Sequence, residues 1–221
     1  MNQYLDILLE VSLFRNINRS DIESLIQCLS ARISNYKKDD IIFRIGDQVS
    51  MVGIVLEGGV QVVRDDLFGN RTILTTLAAG DIFGETFACA GVKILPVSVL
   101  TTADSKVLLM DYRRIITTCS SSCIFHQLLV ENMLQILAQK NLMLNQKIDV
   151  ISARTTRDKL MVYLTALSQK EKNNCFDIPY NRQGLADFLS VDRSAMSSEL
   201  GKMRDEGILK FHKNHFEIIQ K

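Results

Sequence analysis

NRQGLADFLSVDRSAMSSELGKM, residues 181–203, consists of two short amphipathic segments joined by a tight turn. Apolar residues fall on one face of each segment, and they are Leu185, Ala186 and Leu189, then Met196, Leu200 and Met203. Asn181 and Asp192 stand just before the two segments and are residue types that cap helix N-termini. Ala186 is small enough to let a second helix cross closely. The stretch therefore predicts a helix-turn-helix.

The outward face of the second predicted helix carries the groups that a DNA-reading helix needs. Its polar and basic residues are Arg193, Ser194, Ser197, Ser198 and Lys202. An Arg can bind guanine through two hydrogen bonds, a Ser can bind a base or a phosphate, and a helix N-terminus favours phosphate. We predict that these residues bind double-stranded DNA, together with Gln183 in the first helix. The alternative is a helical hairpin without a role in DNA binding.

The sequence that follows the two predicted helices indicates a β-hairpin. ILKFH and HFEII flank Lys213-Asn214, as two strands flank a two-residue turn. Such a hairpin would form the wing of a winged helix. Residues 152–221 contain 12 Lys and Arg against 9 Asp and Glu, whereas residues 1–151 contain 14 against 16. This distribution fits a C-terminal DNA-binding domain but does not establish one.

Residues 124–151 predict a long helix with two apolar faces. Alternating steps of four and three residues join the members of the first face, which are Val130, Leu134, Leu137, Asn141, Leu144, Ile148 and Ile151. This is the spacing of a coiled-coil seam, and a lone Asn in such a seam can fix the pairing of two chains. The second face contains Leu129, Met133, Ile136 and Met143. We predict a homodimer through the first face, the alternative being a helix buried on two sides within one chain.

The N-terminal half has a different sequence pattern, with predicted helices followed by short predicted strands. The first 30 residues show helical spacings of Leu and Ile, and residues 31–111 alternate short β-type runs with turn signals such as Gly58-Gly59 and Gly80-Asp81. Strands that recur about every 8–12 residues favour an antiparallel barrel. The predicted class is α+β: an antiparallel β-roll or jelly-roll barrel with flanking helices, a long dimerisation helix and a winged helix-turn-helix. The expected domains are residues 1–119, 120–151 and 152–221.

In the order of these parts, the chain resembles the Crp/Fnr family of bacterial transcription regulators over nearly its whole length. IIFRIGDQ (residues 41–48), GIVLEGGVQVV (53–63) and especially GDIFGE (80–85) are similar to the cyclic-nucleotide-binding fold of that family. The resemblance implies a homodimeric, sequence-specific regulator with a small-molecule effector, and RNA polymerase as a partner if it activates. The alternative is a ligand or redox sensor module that does not itself regulate DNA.

The same resemblance bears on the effector. In the cAMP-binding members a Gly-Glu pair is followed, ten residues after the Glu, by an Arg-Ser pair that takes the cyclic phosphate. Gly84-Glu85 match the first pair, whereas Leu95-Pro96 stand at the second. Burial of a phosphate without a cation is costly, so cAMP is not expected to bind. Gly84, Glu85, Thr86, Leu95 and Pro96 are the candidate effector pocket, and the effector itself is left open.

The recognition helix departs from the family pattern in a similar way. The family commonly shows Arg-x-x-x-Ser-Arg, the first Arg often followed by Glu. Arg193 and Ser197 match this pattern, while Ser194 and Ser198 replace the Glu and the second Arg. Phosphate contacts supply much of DNA affinity, so DNA binding is expected and the operator sequence is expected to differ.

The remaining composition argues against several other classes. The five cysteines, at 28, 89, 119, 123 and 175, lack the N-terminal clustering of the iron–sulfur members and are expected to be small buried residues. A metal-dependent barrel enzyme is not predicted, since the three histidines lie outside the barrel segment. Hydrophobic residues make up 47% of the 221-residue chain, but no run is long enough to predict a membrane span, and the N-terminus lacks the pattern of a signal peptide. We therefore expect a cytoplasmic protein. No metal site is predicted.

Overall fold

Short helices come first because apolar residues recur at three- and four-residue spacings. They are a 3-10 turn at Asn2–Tyr4, α1 at Leu5–Glu10, a 3-10 turn at Ser12–Phe14 and α2 at Arg19–Cys28. Leu5, Leu8, Ile22 and Leu25 are buried in one core. The helical character expected for the first 30 residues is therefore confirmed.

The computed structural model describes residues 2–66, 68, 70–117 and 124–219. The chain divides into two compact units between Ala138 and Gln139, inside its longest helix. In the described ranges, no helix is long and apolar enough to cross a membrane. The domain limits 119/120 and 151/152 expected from the sequence describe functional parts, and they stay a prediction.

The first unit is built on two antiparallel sheets. Its strands are β1 (Arg32–Tyr36), β2 (Ile41–Phe43), β3 (Met51–Glu57), β4 (Gly59–Asp65), β5 (Arg71–Ala78), β6 (Ile82–Phe83), β7 (Ser98–Thr101) and β8 (Ser105–Asp111). Their order is β1-β8-β3-β6 in one sheet and β2-β7-β4-β5 in the other. The β4–β5 hairpin contains a register shift at Val62/Val63. The predicted α+β class with antiparallel N-terminal sheets is confirmed.

Three helices complete the first unit and lead out of it. They are α3 (Glu85–Cys89), α4 (Tyr112–Ile116) and α5 (Ile124–Ser152). On α5, Leu129, Met133 and Ile136 are buried in the same core as α1 and α2. Asn132 fixes this docking, because its side-chain Nδ2 donates to the carbonyl oxygens of Leu13 and Arg15, at 2.9 Å each.

One member of the second apolar face of α5, Met143, does not pack against this core. Met143 is 69% exposed, unlike Leu129, Met133 and Ile136. It lies beyond Ala138, where the first unit ends, so the core that buries the other three does not include it.

The second unit surrounds a separate core with helices and a small sheet. Its elements after α5 are α6 (Thr156–Glu171), β9 (Cys175–Asp177), α7 (Arg182–Leu189), α8 (Arg193–Asp205), β10 (Leu209–His212) and β11 (His215–Ile218). The sheet order is β10-β11-β9, antiparallel throughout the described pairs. Val150, near the end of α5, is fully buried in this core. The short strand β9 was not predicted from the sequence.

The cysteines behave less uniformly than expected. Cys28 and Cys89 are half-buried, but Cys175 on β9 is exposed, so the expectation of buried residues is wrong for Cys175. Cys119 and Cys123 lie outside the described residues. Burial raises the pKa of the Cys89 thiol, and the nearby Glu85 charge raises it further, which disfavours the reactive thiolate at that position.

Candidate nucleic-acid interface

The two helices of the predicted helix-turn-helix form where the sequence places them. Asn181 Oδ1 accepts a hydrogen bond from the Gly184 amide at 2.8 Å, and Asp192 Oδ1 accepts one from the Ala195 amide at 2.9 Å. Each side chain satisfies a donor that the first helical turn leaves without a partner. The caps therefore fix the starts of α7 and α8.

The turn between these helices is made by a residue with left-handed backbone. Ser190 has φ +53°, and the following amide of Val191 donates to the carbonyl of Ala186 at 3.0 Å. Ala186 is fully buried, like Met196, Leu200 and Met203 on α8. A small residue at this position lets α8 cross α7 closely, as the sequence predicts.

The outward face of α8 presents its polar residues to solvent. Arg193, Ser194, Ser197, Ser198 and Lys202 are exposed. Lys202 Nζ lies 3.4 Å from Glu199 Oε2. Because the apolar stripe of α8 is fully buried, the helix has little freedom to rotate and this face is fixed outward.

An arginine on α6 ties α8 to the rest of the unit. Arg157 Nε donates to Glu199 Oε1 at 2.6 Å, and its two terminal nitrogens donate to the carboxylate of Glu206 at 2.7 and 2.8 Å. Hydrogen bonds from Arg157 lower the pKa of Glu199 and of Glu206. Paired hydrogen bonds of this kind fix the orientation of the two groups as well as attracting them. Arg157 of α6 therefore holds α8 at Glu199 and at Glu206, the residue that directly follows the helix.

A groove of about 720 Å³ opens beside the start of α8. It is lined by Ile178, Pro179, Tyr180, Asn181, Arg182, Gln183, Arg193, Lys213 and Asn214. The groove therefore brings together four parts: the segment between β9 and α7, the start of α7, the start of α8 and the hairpin turn. Of the residues predicted to bind DNA, Gln183 and Arg193 line it, whereas Ser194, Ser197, Ser198 and Lys202 are not among its lining residues.

Arg182 is a groove residue that sequence reasoning missed. Its guanidinium lies 4.7 Å from the ring centroid of Phe211 and 5.2 Å from that of Phe216. Burial lowers the pKa of Arg182. The rings hold the cation by their quadrupoles and orient it at the first turn of α7. Arg182 lies about 30 residues before Phe211 and Phe216 in the sequence, so no local pattern predicts that they are in contact.

The predicted wing is the hairpin β10–β11. Its strands pair Phe211 with Phe216 and His212 with His215. Lys213, in the turn, has φ +52°. The amide of Ile178 donates to the carbonyl of Asn214 at 2.9 Å, which ties the turn to the segment after β9. This contact positions Lys213 and Asn214 on the groove. From the sequence, these two residues were predicted only to form the turn of the hairpin.

The predicted dimer seam is mostly uncovered in a single chain. Leu134 is 62% exposed, Leu144 63%, Ile148 53% and Ile151 41%. Val130 and Leu137 are partly buried, and Leu137 packs against the core of the first unit. Asn141 is exposed and accepts a hydrogen bond from Asn145 at 3.0 Å. The alternative of a helix buried on two sides is therefore not what the single chain shows.

The candidate effector segment is tightly built. Gly84 has φ +82° before α3, and a Cβ there would lie 2.9 Å from the carbonyl oxygen of Met51, so the turn requires glycine. Glu85 is buried and accepts a hydrogen bond from the hydroxyl of Thr86 at 2.9 Å. The Leu95 side chain is also buried, while Pro96 is exposed. An apolar side chain and a proline therefore stand where the resemblance would place a phosphate-binding pair.

Two family models match the chain, in the order in which the two units occur. A cyclic nucleotide-binding domain matches residues 33–122, and a Crp-like helix-turn-helix domain matches residues 158–221. The chain belongs to the Crp/Fnr family. Because it contains the helix-turn-helix domain of this family, the chain is a DNA-binding regulator of the Crp/Fnr type. Among curated protein sequences, none matches this chain at a significant level.

Solved structures of Crp/Fnr regulators share the fold. The catabolite activator protein of Thermus thermophilus is 21% identical with a TM-score of 0.54, and the match covers 94% of this chain and 93% of that one. DNR from Pseudomonas aeruginosa is 18% identical with a TM-score of 0.52, covering 100% and 96%. The c-di-GMP responsive regulator CLP of Xanthomonas campestris is 17% identical with a TM-score of 0.54, covering 92% and 100%. At these identities the likeness supports the fold alone.

Proposed function

We propose that this protein is a homodimeric, sequence-specific DNA-binding transcription regulator of the Crp/Fnr type. The observation that carries the proposal is the groove that brings together Arg193 of α8, Gln183 of α7 and Lys213 of the hairpin. A recognition helix reads bases with its N-terminal residues, while neighbouring basic and amide groups bind the DNA backbone. The groove has this composition.

In this proposal the N-terminal half of α8 enters the major groove. Arg193 is the base reader, because it is the first residue of α8 and its guanidinium can bind guanine through two hydrogen bonds. Ser194, Ser197, Ser198 and Lys202 make shorter or phosphate contacts from the same face. Lys213 and Asn214 on the hairpin, with Gln183, bind the phosphate backbone beside the groove.

The homodimer forms through α5, with Asn141 of one helix opposite Asn141 of the other. The exposed side chains Leu134, Leu144, Ile148 and Ile151 support this pairing. Two copies present two reading helices, which in this class of protein engage half-sites about one helical turn of DNA apart. RNA polymerase is a further partner if the protein activates transcription.

The effector bound by the first unit is a small molecule other than cAMP. This part rests on the buried Leu95 and on Pro96 at the positions of the phosphate-binding pair. A ligand that co-purifies with the native protein, identified by mass spectrometry, would name the effector directly.

Selection of bound duplexes from a random-sequence DNA library tests the proposal. We expect enrichment of a pseudo-palindrome whose half-sites lie about 10 base pairs apart. The selected duplex should shift the full-length protein in a gel at nanomolar concentration. Selection that enriches no sequence would contradict sequence-specific reading.

A further inference from the structure

Two lysines from outside α7 hold its C-terminal end. Lys147 Nζ, on α5, donates to the carbonyl oxygen of Phe188. Lys159 Nζ, on α6, donates to the carbonyl oxygens of Leu189 at 3.2 Å and Ser190 at 3.3 Å. The last carbonyls of a helix lack partners within the helix and carry its partial negative charge. The ammonium groups of Lys147 and Lys159, on α5 and α6, therefore stabilise the C-terminal end of α7.

The contact of Lys147 is specific and partly shielded from water. Its Nζ lies 4.1 Å from the ring centroid of Phe188. Burial lowers the pKa of Lys147, and the charge of Lys159 lowers it further. Within the described residues, neither lysine has a carboxylate ion pair. The carbonyl and the ring are thus the groups that stabilise the Lys147 charge where it sits.

The ring that Lys147 contacts continues to the DNA-facing groove. Phe188 stacks on Tyr180, with centroids 5.1 Å apart and planes 25° from parallel. Phe188 also contacts the buried Tyr163, whose ring centroid lies 5.0 Å away. Tyr180 lines the groove and directly precedes the cap Asn181. A continuous set of contacts, Lys147 to Phe188 to Tyr180, therefore joins α5 to the groove wall.

The end of α5 has two differently used faces. Val150 is fully buried in the core of the second unit, and Lys147 contacts Phe188, which packs against the same core. Leu144, Ile148 and Ile151 are exposed. The same turns of α5 therefore hold α7 with one face and offer the proposed pairing seam on another.

We infer that Lys147 is a positioning residue that fixes α7 and the groove relative to α5, and so sets the spacing between the two reading units of the dimer. The inference rests on the proposed function. If Lys147 acts in this way, its removal leaves each reading unit intact but loosens its attachment to the paired helices. The dimer then loses the advantage of binding two half-sites at one fixed separation.

The test uses Lys147→Met, which keeps an unbranched side chain, shorter by one heavy atom, and removes its charge and donors. Binding of the full-length protein is measured on the selected operator, on operators with one or two base pairs inserted between half-sites, and on a single half-site. Wild type should prefer one spacing. Lys147→Met should bind that operator about tenfold more weakly, bind all spacings similarly, and keep its affinity for the single half-site.

Controls separate positioning from folding and from charge. Lys147→Arg should restore the spacing preference, since it restores a cation and donors. Lys170→Met removes an exposed lysine of the same unit and should behave as wild type. An equal loss on all duplexes, or an unchanged spacing preference, would overturn the inference. If wild type itself binds none of the duplexes, the proposed function fails first.

Discussion

At the residue scale, the first two turns of α8 present one long polar side chain among short ones. Arg193 starts α8 and lines the groove, while Ser194, Ser197 and Ser198 are exposed but short. A guanidinium can span the distance to a base edge and bind it with two hydrogen bonds, whereas a hydroxyl makes single bonds. Sequence discrimination at each half-site should therefore fall mainly on one residue.

Replacement of Arg193 by Ala is expected to lose about 1–3 kcal/mol on the selected operator and to relax preference at one base pair per half-site. Lys202→Ala is the matched control, because Lys202 lies further along the same face. It should weaken all sequences alike and lower the salt dependence of binding. Affinities are measured on operator and random duplexes at several salt concentrations. If Arg193→Ala lowered the affinity for operator and random DNA equally, Arg193 would not be the base reader.

In the first unit, Leu95 is the residue that argues against binding of cAMP. Because its side chain is buried and no hydroxyl follows at Pro96, a cyclic phosphate would be desolvated there without a matching cation. Isothermal titration calorimetry with cAMP should show no binding at micromolar concentrations. Micromolar binding, accompanied by tighter DNA binding, would show this reasoning to be wrong.

The sequence predicted those residues whose roles depend on near neighbours. The caps Asn181 and Asp192 and the apolar stripe of α8 follow from spacings within one segment, and the structure shows each of them. Arg182 was missed because its partners, Phe211 and Phe216, are brought to it by the folded wing. Lys147 was missed for the same reason.

At the scale of elements, the attachment of α6 to α8 decides how firmly the recognition helix is held. Hydrogen bonds from Arg157 hold the pKa values of Glu199 and Glu206 below their ordinary value of 4.5. The unfolded chain therefore binds more protons than the folded one just below pH 4.5, so the stability from this network is present above that pH and lost as the pH falls.

Arg157→Met should remove this acid-sensitive part of the stability. The difference in denaturant midpoint between wild type and Arg157→Met, followed by circular dichroism, should be largest near neutral pH and shrink toward about pH 3. Arg154→Met changes an exposed arginine just before α6 and is the charge-matched control. A difference that stays constant across this pH range would contradict the assignment of the network.

At the scale of the whole molecule, the proposed homodimer depends on the uncovered face of α5. Lys substitutions at Leu134 and Leu144, which are 62% and 63% exposed, would place four charges in the paired seam. Since the positions are exposed in one chain, each unit should still fold. Light scattering should show a monomer, with operator affinity sharply reduced because the linkage of two half-sites is lost.

The control for this variant places the same charges elsewhere on α5. Gln135→Lys and Gln139→Lys lie at exposed positions off the seam and should leave the dimer intact. Dissociation of the control variant to the same extent would show that charge alone, rather than the seam, governs assembly. Wild type that is monomeric at micromolar concentration would refute the dimer outright.

In the proposed dimer, the exposed apolar side chains of α5 also link the occupancy of DNA to the number of copies of the chain in a cell. If the proposed pairs dissociate at low abundance, the concentration of dimer rises with the square of the concentration of chains. A twofold change in synthesis would then change operator occupancy up to about fourfold before saturation. Residues such as Leu144 and Ile148, which are not among those proposed to contact DNA, would in this way set the expression threshold at which the regulator begins to act.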